Sequence, residues 1–214
     1  MTNASRKIRL IMELRRNGIT DTTVLSALER IPRDVFVPDA FQDQAYENIA
    51  LPIHHGQTIS QPYVVAFMTE ALKVGPRMKV LEVGTGSGYQ AAVLSQLCRR
   101  VYTIERYRSL LRDAERQFEA LRLTNITTKV GDGYLGWPEQ APFDRILVTA
   151  AATDLPPVLV EQLGVGGIMV LPMGSSSVDQ QIVRVVKLED GRIDCEDLLG
   201  VRFVPLVDGI PSDD

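Results

Sequence analysis

The sequence predicts an α/β fold, a mostly parallel sheet with helices on both faces, and three observations carry that expectation. From residue 79 onward, short apolar runs rich in β-branched residues alternate with helical patterns. The first of these runs, Val80-Leu81-Glu82-Val83, breaks into glycines at alternating positions, Gly84, Gly86 and Gly88, directly before a helical stretch. That is the geometry in which backbone N–H groups at a helix start face a ligand. Finally, Glu82 lies in the first strand, Glu105 ends the second and Asp132 follows the third. Acids at the C-terminal ends of three successive parallel strands converge on one crevice.

Taken in order, residues 5–17 read as a basic helix with Ile8, Ile11, Met12 and Leu14 on its apolar face, ended by Asn17-Gly18. We expect it to dock on the core rather than to form a surface binding arm. A second helix starts with Asp21 or Thr22 as its cap, runs through Val24, Leu25 and Leu28, and stops at Pro32. Residues 33–63 keep no period and are punctuated by prolines, yet they hold Phe36, Phe41, Tyr46, Ile49, Leu51 and Ile59, which need burial. So long an irregular segment of ordered composition is expected to be functional. It ends in a polar run, His54 to Tyr63, before a helix at 64–72, which puts Ser60 or Gln61 at a helix N-terminus, where serine suits a cap.

Beyond it, strands are expected at 79–83, 100–104, 126–130, 143–149 and 167–172, and helices at 89–97, 107–122 and 154–163. Leu110, Leu111, Ala114, Phe118 and Leu121 form a core stripe on the second of these helices. Thr149 and the alanines at 150–152 keep the crevice floor small, and glycines in 164–167 turn the chain into the fifth strand. The tail breaks the alternation. Residues 181–188 and 201–206 read as strands flanking a Glu189-Asp190-Gly191 turn, pairing antiparallel at or near a sheet edge. Residues 1–78 are expected to pack on 79–214 as one compact unit.

Composition narrows the function. The chain has 214 residues, 45% hydrophobic and 23% charged, with a net charge of −4 and no run of Lys and Arg. This argues against a general nucleic-acid binder. No apolar stretch reaches the ~18 residues of a membrane span, and nothing at the start reads as a signal peptide. Two distant cysteines, Cys98 and Cys195, suit free thiols in a reducing cytoplasm. Those cysteines and the adjacent His54 and His55 make no metal-ligand spacing, so no metal is expected.

The glycine turn excludes several ligands. A phosphate loop needs G-x-x-x-x-G-K-S/T, and no lysine follows these glycines. The dinucleotide fingerprint G-x-G-x-x-G is one residue longer than the G-x-G-x-G found here, which opposes a nicotinamide dehydrogenase. The G-x-S-x-G elbow fails as well, since Thr85 stands two residues before Ser87. Glu82 suits a ligand with a cationic part, and Glu105 is placed to accept both hydroxyls of a ribose.

These residues resemble the nucleotide-binding half of Rossmann-like class I S-adenosylmethionine-dependent methyltransferases. The run Ala50-Leu51-Pro52-Ile53-His54-His55-Gly56-Gln57-Thr58-Ile59-Ser60-Gln61-Pro62 resembles the substrate loop of the protein-L-isoaspartate O-methyltransferase family. Residues 33–38, 79–89 and the tail Arg202-Phe203-Val204-Pro205-Leu206 resemble the same family, so the likeness covers nearly the whole chain. His54 departs from the glycine common at that place, and residues after Leu206 diverge.

The resemblance implies S-adenosyl-L-methionine as cofactor and, as partners, damaged proteins carrying L-isoaspartyl (or D-aspartyl) residues, with no nucleic acid and no membrane, in a cytoplasmic monomer. The acceptor is a free carboxylate, already ionised at neutral pH, so positioning and water exclusion matter more than base catalysis. The methyl ester then closes to a succinimide without the enzyme, losing methanol, and the succinimide reopens with water partly to normal aspartate, which is the repair. Ser60 is the candidate catalytic residue, its hydroxyl orienting the carboxylate, not acting as a covalent nucleophile, since no base is provided for it. Thr58, Gln61 and the backbone of Val204 are implied on the substrate side. Ile59, Ser60, Glu82, Gly84, Thr85, Gly86, Glu105, Arg106, Asp132 and Gly133 are implied on the cofactor side, with Asp132 and Gly133 at the adenine and Glu82 at the methionine amino group or acting through the turn. His55 lines the mouth or holds the loop. The competing readings are a methyltransferase of another carboxylate or small molecule, and a non-catalytic S-adenosylmethionine-binding protein.

Overall fold

The glycine turn follows the middle one of five parallel strands in a seven-stranded sheet. The computed structural model describes residues 2–176 and 178–211. In chain order the main elements are α1 (Asn3–Arg16), α2 (Thr22–Arg30), β1 (Leu51–Pro52), β2 (Thr58–Ile59), α3 (Pro62–Leu72), β3 (Lys79–Val83), α4 (Tyr89–Ser95), β4 (Arg100–Glu105), α5 (Arg108–Ala120), β5 (Ile126–Val130), β6 (Phe143–Val148), α6 (Pro157–Gln162), β7 (Leu163–Met173), β8 (Gln180–Lys187) and β9 (Ile193–Val201). The large sheet has the order β5-β4-β3-β6-β7-β8-β9. Its first five strands in that order run parallel, and β8 and β9 return antiparallel.

Successive strands step from β3 outward through β4 to β5, and then the chain returns to the other side of β3 as β6. The connections therefore diverge between β3 and β6 and leave a crevice beyond the strand tips, the usual ligand site of such sheets. Side chains of β3 serve both faces: Val80 joins the cluster that includes Leu14, Leu28 and Leu72, while Leu81 and Val83 join Phe143, Ile146 and Leu159. β3 is buried nearly throughout because helices cover both faces, which is why its sequence reads as a continuous apolar run.

Several expectations need correcting. The inward face of α1 is Leu10 and Leu14, whereas Ile8 (56% exposed) and Met12 (49%) face outward. Leu10 and Leu14 lie four residues apart and so share one face, one that Ile8 and Met12 do not. The helix expected at 154–163 shortens to Pro157–Gln162, since Pro156 supplies an extended residue before it and Leu163 already belongs to β7. The glycines at 164–167 lie inside β7 and not in a turn before it. The register between β6 and β7 slips there, from Phe143 opposite Leu163 to Arg145 opposite Ile168.

The last strand is β9, not 201–206. The tight turn ends at Arg192, whose carbonyl accepts the Leu188 N–H at 2.8 Å, so pairing with β8 begins at once and is used up by Val201. Residues 202–206 then leave the edge and cross the strand tips. The Gln180 side chain exchanges two hydrogen bonds with the Phe203 main chain, at 2.5 and 3.2 Å. Ala151 bonds Val204 and Leu206, each at 2.8 Å. This crossing makes the tail a wall of the crevice.

Candidate active site

A cavity of about 640 Å³ opens over the tips of β3, β4 and β6, inside the range of small-ligand sites. One wall is the glycine turn and the start of the segment after β4. Another part of the lining is the β1–β2 hairpin with Ser60 and Gln61, and the tail from Leu199 to Val207 supplies a third.

The turn has little freedom. Gly84 has φ 95°, and a Cβ there would fall 2.4 Å from the Thr149 hydroxyl, which donates to the Gly84 carbonyl at 2.6 Å. Gly88 has φ 89°, and a Cβ there would strike Phe118 and Ala114 of α5 within 3 Å. Glycine is thus required by backbone conformation and by close approach together. The Gly84 and Thr85 N–H groups both donate to the Ile104 carbonyl, at 2.8 and 3.2 Å, which ties the turn to the end of β4.

Glu105 holds the turn from the other side. One carboxylate oxygen accepts the Gly86 N–H at 2.8 Å, and the other accepts the Tyr107 N–H at 3.0 Å. Each oxygen keeps a further lone pair, so a vicinal diol in the cavity has an acceptor available. Burial raises the Glu105 carboxyl above its ordinary pKa, against the lowering pull of those N–H donors.

Glu82 does not line the cavity. It is fully buried beneath the turn, where Thr103 donates to it at 2.5 Å. The Thr85 and Thr103 hydroxyl oxygens are 2.6 Å apart. When Glu82 is ionised, Thr103 spends its single proton on it, and Thr85 is the donor to Thr103. Glu82 therefore reaches the cavity through Thr103 and Thr85. Burial, reinforced by the nearby Glu105 charge, pushes its carboxyl up to about 8 despite the Thr103 bond. Its second oxygen is buried and lacks a hydrogen-bond partner among the described residues.

Of the expected site residues, Thr58, Ile59, Ser60, Gln61, Gly84, Thr85, Gly86, Glu105, Arg106, Gly133 and Val204 line this one cavity. Asp132 does not. Its carboxylate accepts the Tyr134 N–H and the Gly209 N–H, both at 2.8 Å, so it is turned toward the short helical turn and the tail while its neighbours Gly131 and Gly133 face the cavity. Arg106 lies 5.5 Å over the Tyr107 ring, and its Nε is buried without a partner among the described residues. The Val204 carbonyl accepts the Ala151 N–H.

Ser60 is not the cap of α3. Gln61 occupies that position without a side-chain cap bond, and the amide oxygen of Asn48 takes the Tyr63 N–H at 2.9 Å instead. The Gln61 side chain is committed to the Asn48 carbonyl, also at 2.9 Å. Among the described residues the Ser60 hydroxyl makes no hydrogen bond, while its carbonyl accepts from Arg33 at 3.0 Å. His55 holds the hairpin tip. It takes a left-handed conformation (φ 58°), stacks on Tyr107 at 4.5 Å between ring centroids, and meets the Ser109 hydroxyl at 2.7 Å. Arg33 lies in the 33–38 run that resembles the family, but its role and that of Asn48 had no local signal, because their partners come from separate stretches of the chain. Thr149, expected only to keep the floor small, also locks the first glycine.

The model of the protein-L-isoaspartate(D-aspartate) O-methyltransferase family matches residues 5–210. The chain belongs to that family. Among curated relatives, a protein-L-isoaspartate O-methyltransferase of Paramagnetospirillum magneticum is 64% identical over 209 residues, covering 97% of each chain. One of Rhodospirillum rubrum is 62% identical over 215 residues, covering 100% of this chain and 98% of the relative. A solved protein-L-isoaspartate O-methyltransferase superposes with a TM-score of 0.83 at 29% identity, covering 93% of this chain, which spans 65% of that chain's length. A Plasmodium falciparum structure, described as a putative protein-L-isoaspartate O-methyltransferase in complex with S-adenosyl-L-homocysteine, has the same fold, with a TM-score of 0.81 at 24% identity.

Proposed function

We infer that this chain is a protein-repair methyltransferase, which transfers a methyl group from S-adenosyl-L-methionine to the free carboxylate of L-isoaspartyl and D-aspartyl residues in damaged proteins. The observation that carries the reading is the shared cavity: the hairpin ending in Ser60 and the glycine turn with Glu105 line the same space.

The residues present fit the cofactor. A glycine whose Cβ position is already filled, a buried carboxylate with spare lone pairs, and apolar Ile104 and Val83 beside the cavity suit a nucleoside with a charged sulfonium arm. Glu105 would hold the ribose hydroxyls. Gly84, Thr85, Gly86 and Arg106 would hold the arm and its ribose junction, with Ile59 and Ser60 covering it. Gly133 would border the adenine, with Asp132 fixing that turn from behind. Glu82 would act through Thr103 and Thr85. When bound, S-adenosylmethionine supplies a methyl group activated by its positive sulfur.

The protein then has to aim, not to deprotonate. Ser60 donates a hydrogen bond from its hydroxyl to the acceptor carboxylate and so fixes which oxygen faces inward. Thr58 flanks it, and Gln61 contributes through its main chain because its side chain serves Asn48. The main chain near Val204 receives the flanking peptide, which suits an enzyme that accepts many sequences, since main-chain bonds read no side chain. The hairpin, held on Tyr107 and Ser109 by His55, keeps water out.

The reading extends to a monomer in the cytoplasm, without nucleic-acid or membrane partners, in which residues 1–78 and 79–214 form one unit. The net charge of −4 disfavours nucleic acid, free cysteines suit a reducing compartment, and Leu14 and Leu28 share a core cluster with Val80 and Val101. The test is one peptide made twice, with isoaspartate or with aspartate at the same position. Labelled methyl enters only the isoaspartyl form; equal labelling of the two, or of neither, overturns the reading.

A further inference from the structure

The turn that carries Ser60 has no cap of its own, and its shape is imposed by two residues distant in the chain. At one end is Arg33, which is fully buried. Its guanidinium donates to the carbonyls of Ala45 at 2.9 Å, Ile49 at 3.1 Å and Ser60 at 3.0 Å. It also lies 5.3 Å over the ring of Tyr89, the first residue of α4 after the glycine turn. One side chain thus ties three points of the irregular segment to the helix that follows the cofactor turn. At the other end is Asn48. Its side chain accepts the Tyr63 N–H and donates to Glu13 of α1, and its carbonyl accepts the Gln61 side chain, all at 2.9 Å. The main chain is therefore held at residues 60 and 63, and the side chain of Gln61 between them is held as well.

A space-filling role explains Arg33 poorly. Burying a cation is expensive, and here no carboxylate compensates it among the described residues. Burial pushes the guanidinium pKa down to about 10. An apolar side chain would fill the volume at lower cost. What an apolar side chain, or a lysine, lacks is a rigid planar fork that serves three carbonyls at fixed angles.

We propose that Arg33 and Asn48 are positioning residues, which clamp the 60–63 turn at its two ends and so aim the Ser60 hydroxyl at the acceptor carboxylate. This rests on the reading of Ser60 given above. Neither residue touches substrate; both act through the main chain of residues 60–63.

The experiment is a pair of double-mutant cycles, Arg33→Lys with Ser60→Ala and Asn48→Ala with Ser60→Ala. It measures kcat and KM for an isoaspartyl peptide and, by calorimetry, the dissociation constant of S-adenosylhomocysteine. Each clamp variant alone lowers kcat by about tenfold or more, as misplacement of a reacting group does, while the dissociation constant stays within about twofold. In the Ser60→Ala background neither variant lowers kcat further, because the hydroxyl they aim is gone. Asn48 is only half-buried and its replacement leaves the Arg33 fork in place, so that cycle is readable even if Arg33→Lys fails to fold. Wild-type kcat in Asn48→Ala, or losses of equal size with and without Ser60, overturn the proposal while leaving Ser60 itself in place. An undiminished kcat in Ser60→Ala alone removes the reading of Ser60 and this proposal with it.

Discussion

Ser60→Ala loses turnover of an isoaspartyl peptide by about 10- to 100-fold, the worth of one hydrogen bond to a charged group, while its affinity for S-adenosylmethionine changes by about twofold or less. The hydroxyl has no structural duty to lose. It does not cap α3, because the Tyr63 N–H is taken by Asn48. Nor does it bond elsewhere among the described residues, so its removal leaves no structural bond broken. The carbonyl that Arg33 holds is untouched by the substitution. Stability should therefore stay close to that of the parent, and the loss should fall on kcat. Steady-state kinetics with a melting curve check this. A variant that melts many degrees lower and turns over normally would mean that Ser60 is structural.

Glu105→Ala weakens S-adenosylmethionine binding by about 10- to 100-fold, from the 1–3 kcal/mol expected when charge-assisted bonds are lost. Two losses coincide there. The Gly86 and Tyr107 N–H groups lose their acceptor, so the turn and the start of α5 loosen. The ribose also loses the acceptor that faces the cavity. Glu105→Gln separates the two, since its amide oxygen satisfies one N–H but its NH₂ confronts the other. Its affinity should fall between those of the parent and the alanine variant. Calorimetric titration measures both, and an unchanged dissociation constant in Glu105→Ala would put the ribose elsewhere.

The strands and helices that position these residues were legible where the pattern is local. Leu110, Leu111, Ala114 and Phe118 recur at helical spacing, and all four are buried on α5. The β-branched run at 80–83 is the buried middle strand of the parallel five, and Glu105 ends the next one. Legibility failed where long-range contacts decide. Asp132 occupies the expected strand end, yet the Gly209 N–H of the diverging tail draws its carboxylate away from the cavity. The 201–206 run has the composition of a strand, but pairing with β8 begins so soon after the tight turn that it ends at Val201. Arg33 and Asn48 bond residues from α1 to α3, and no period or spacing in the sequence records such contacts.

The most direct test is a crystal structure with S-adenosylhomocysteine and an isoaspartyl peptide bound together. The account predicts the ribose on Glu105, the sulfur facing the turn that carries Ser60, and the Ser60 hydroxyl within hydrogen-bond distance of the isoaspartyl carboxylate. A nucleoside outside the strand-tip cavity, or a carboxylate held by other groups with Ser60 turned away, would contradict it.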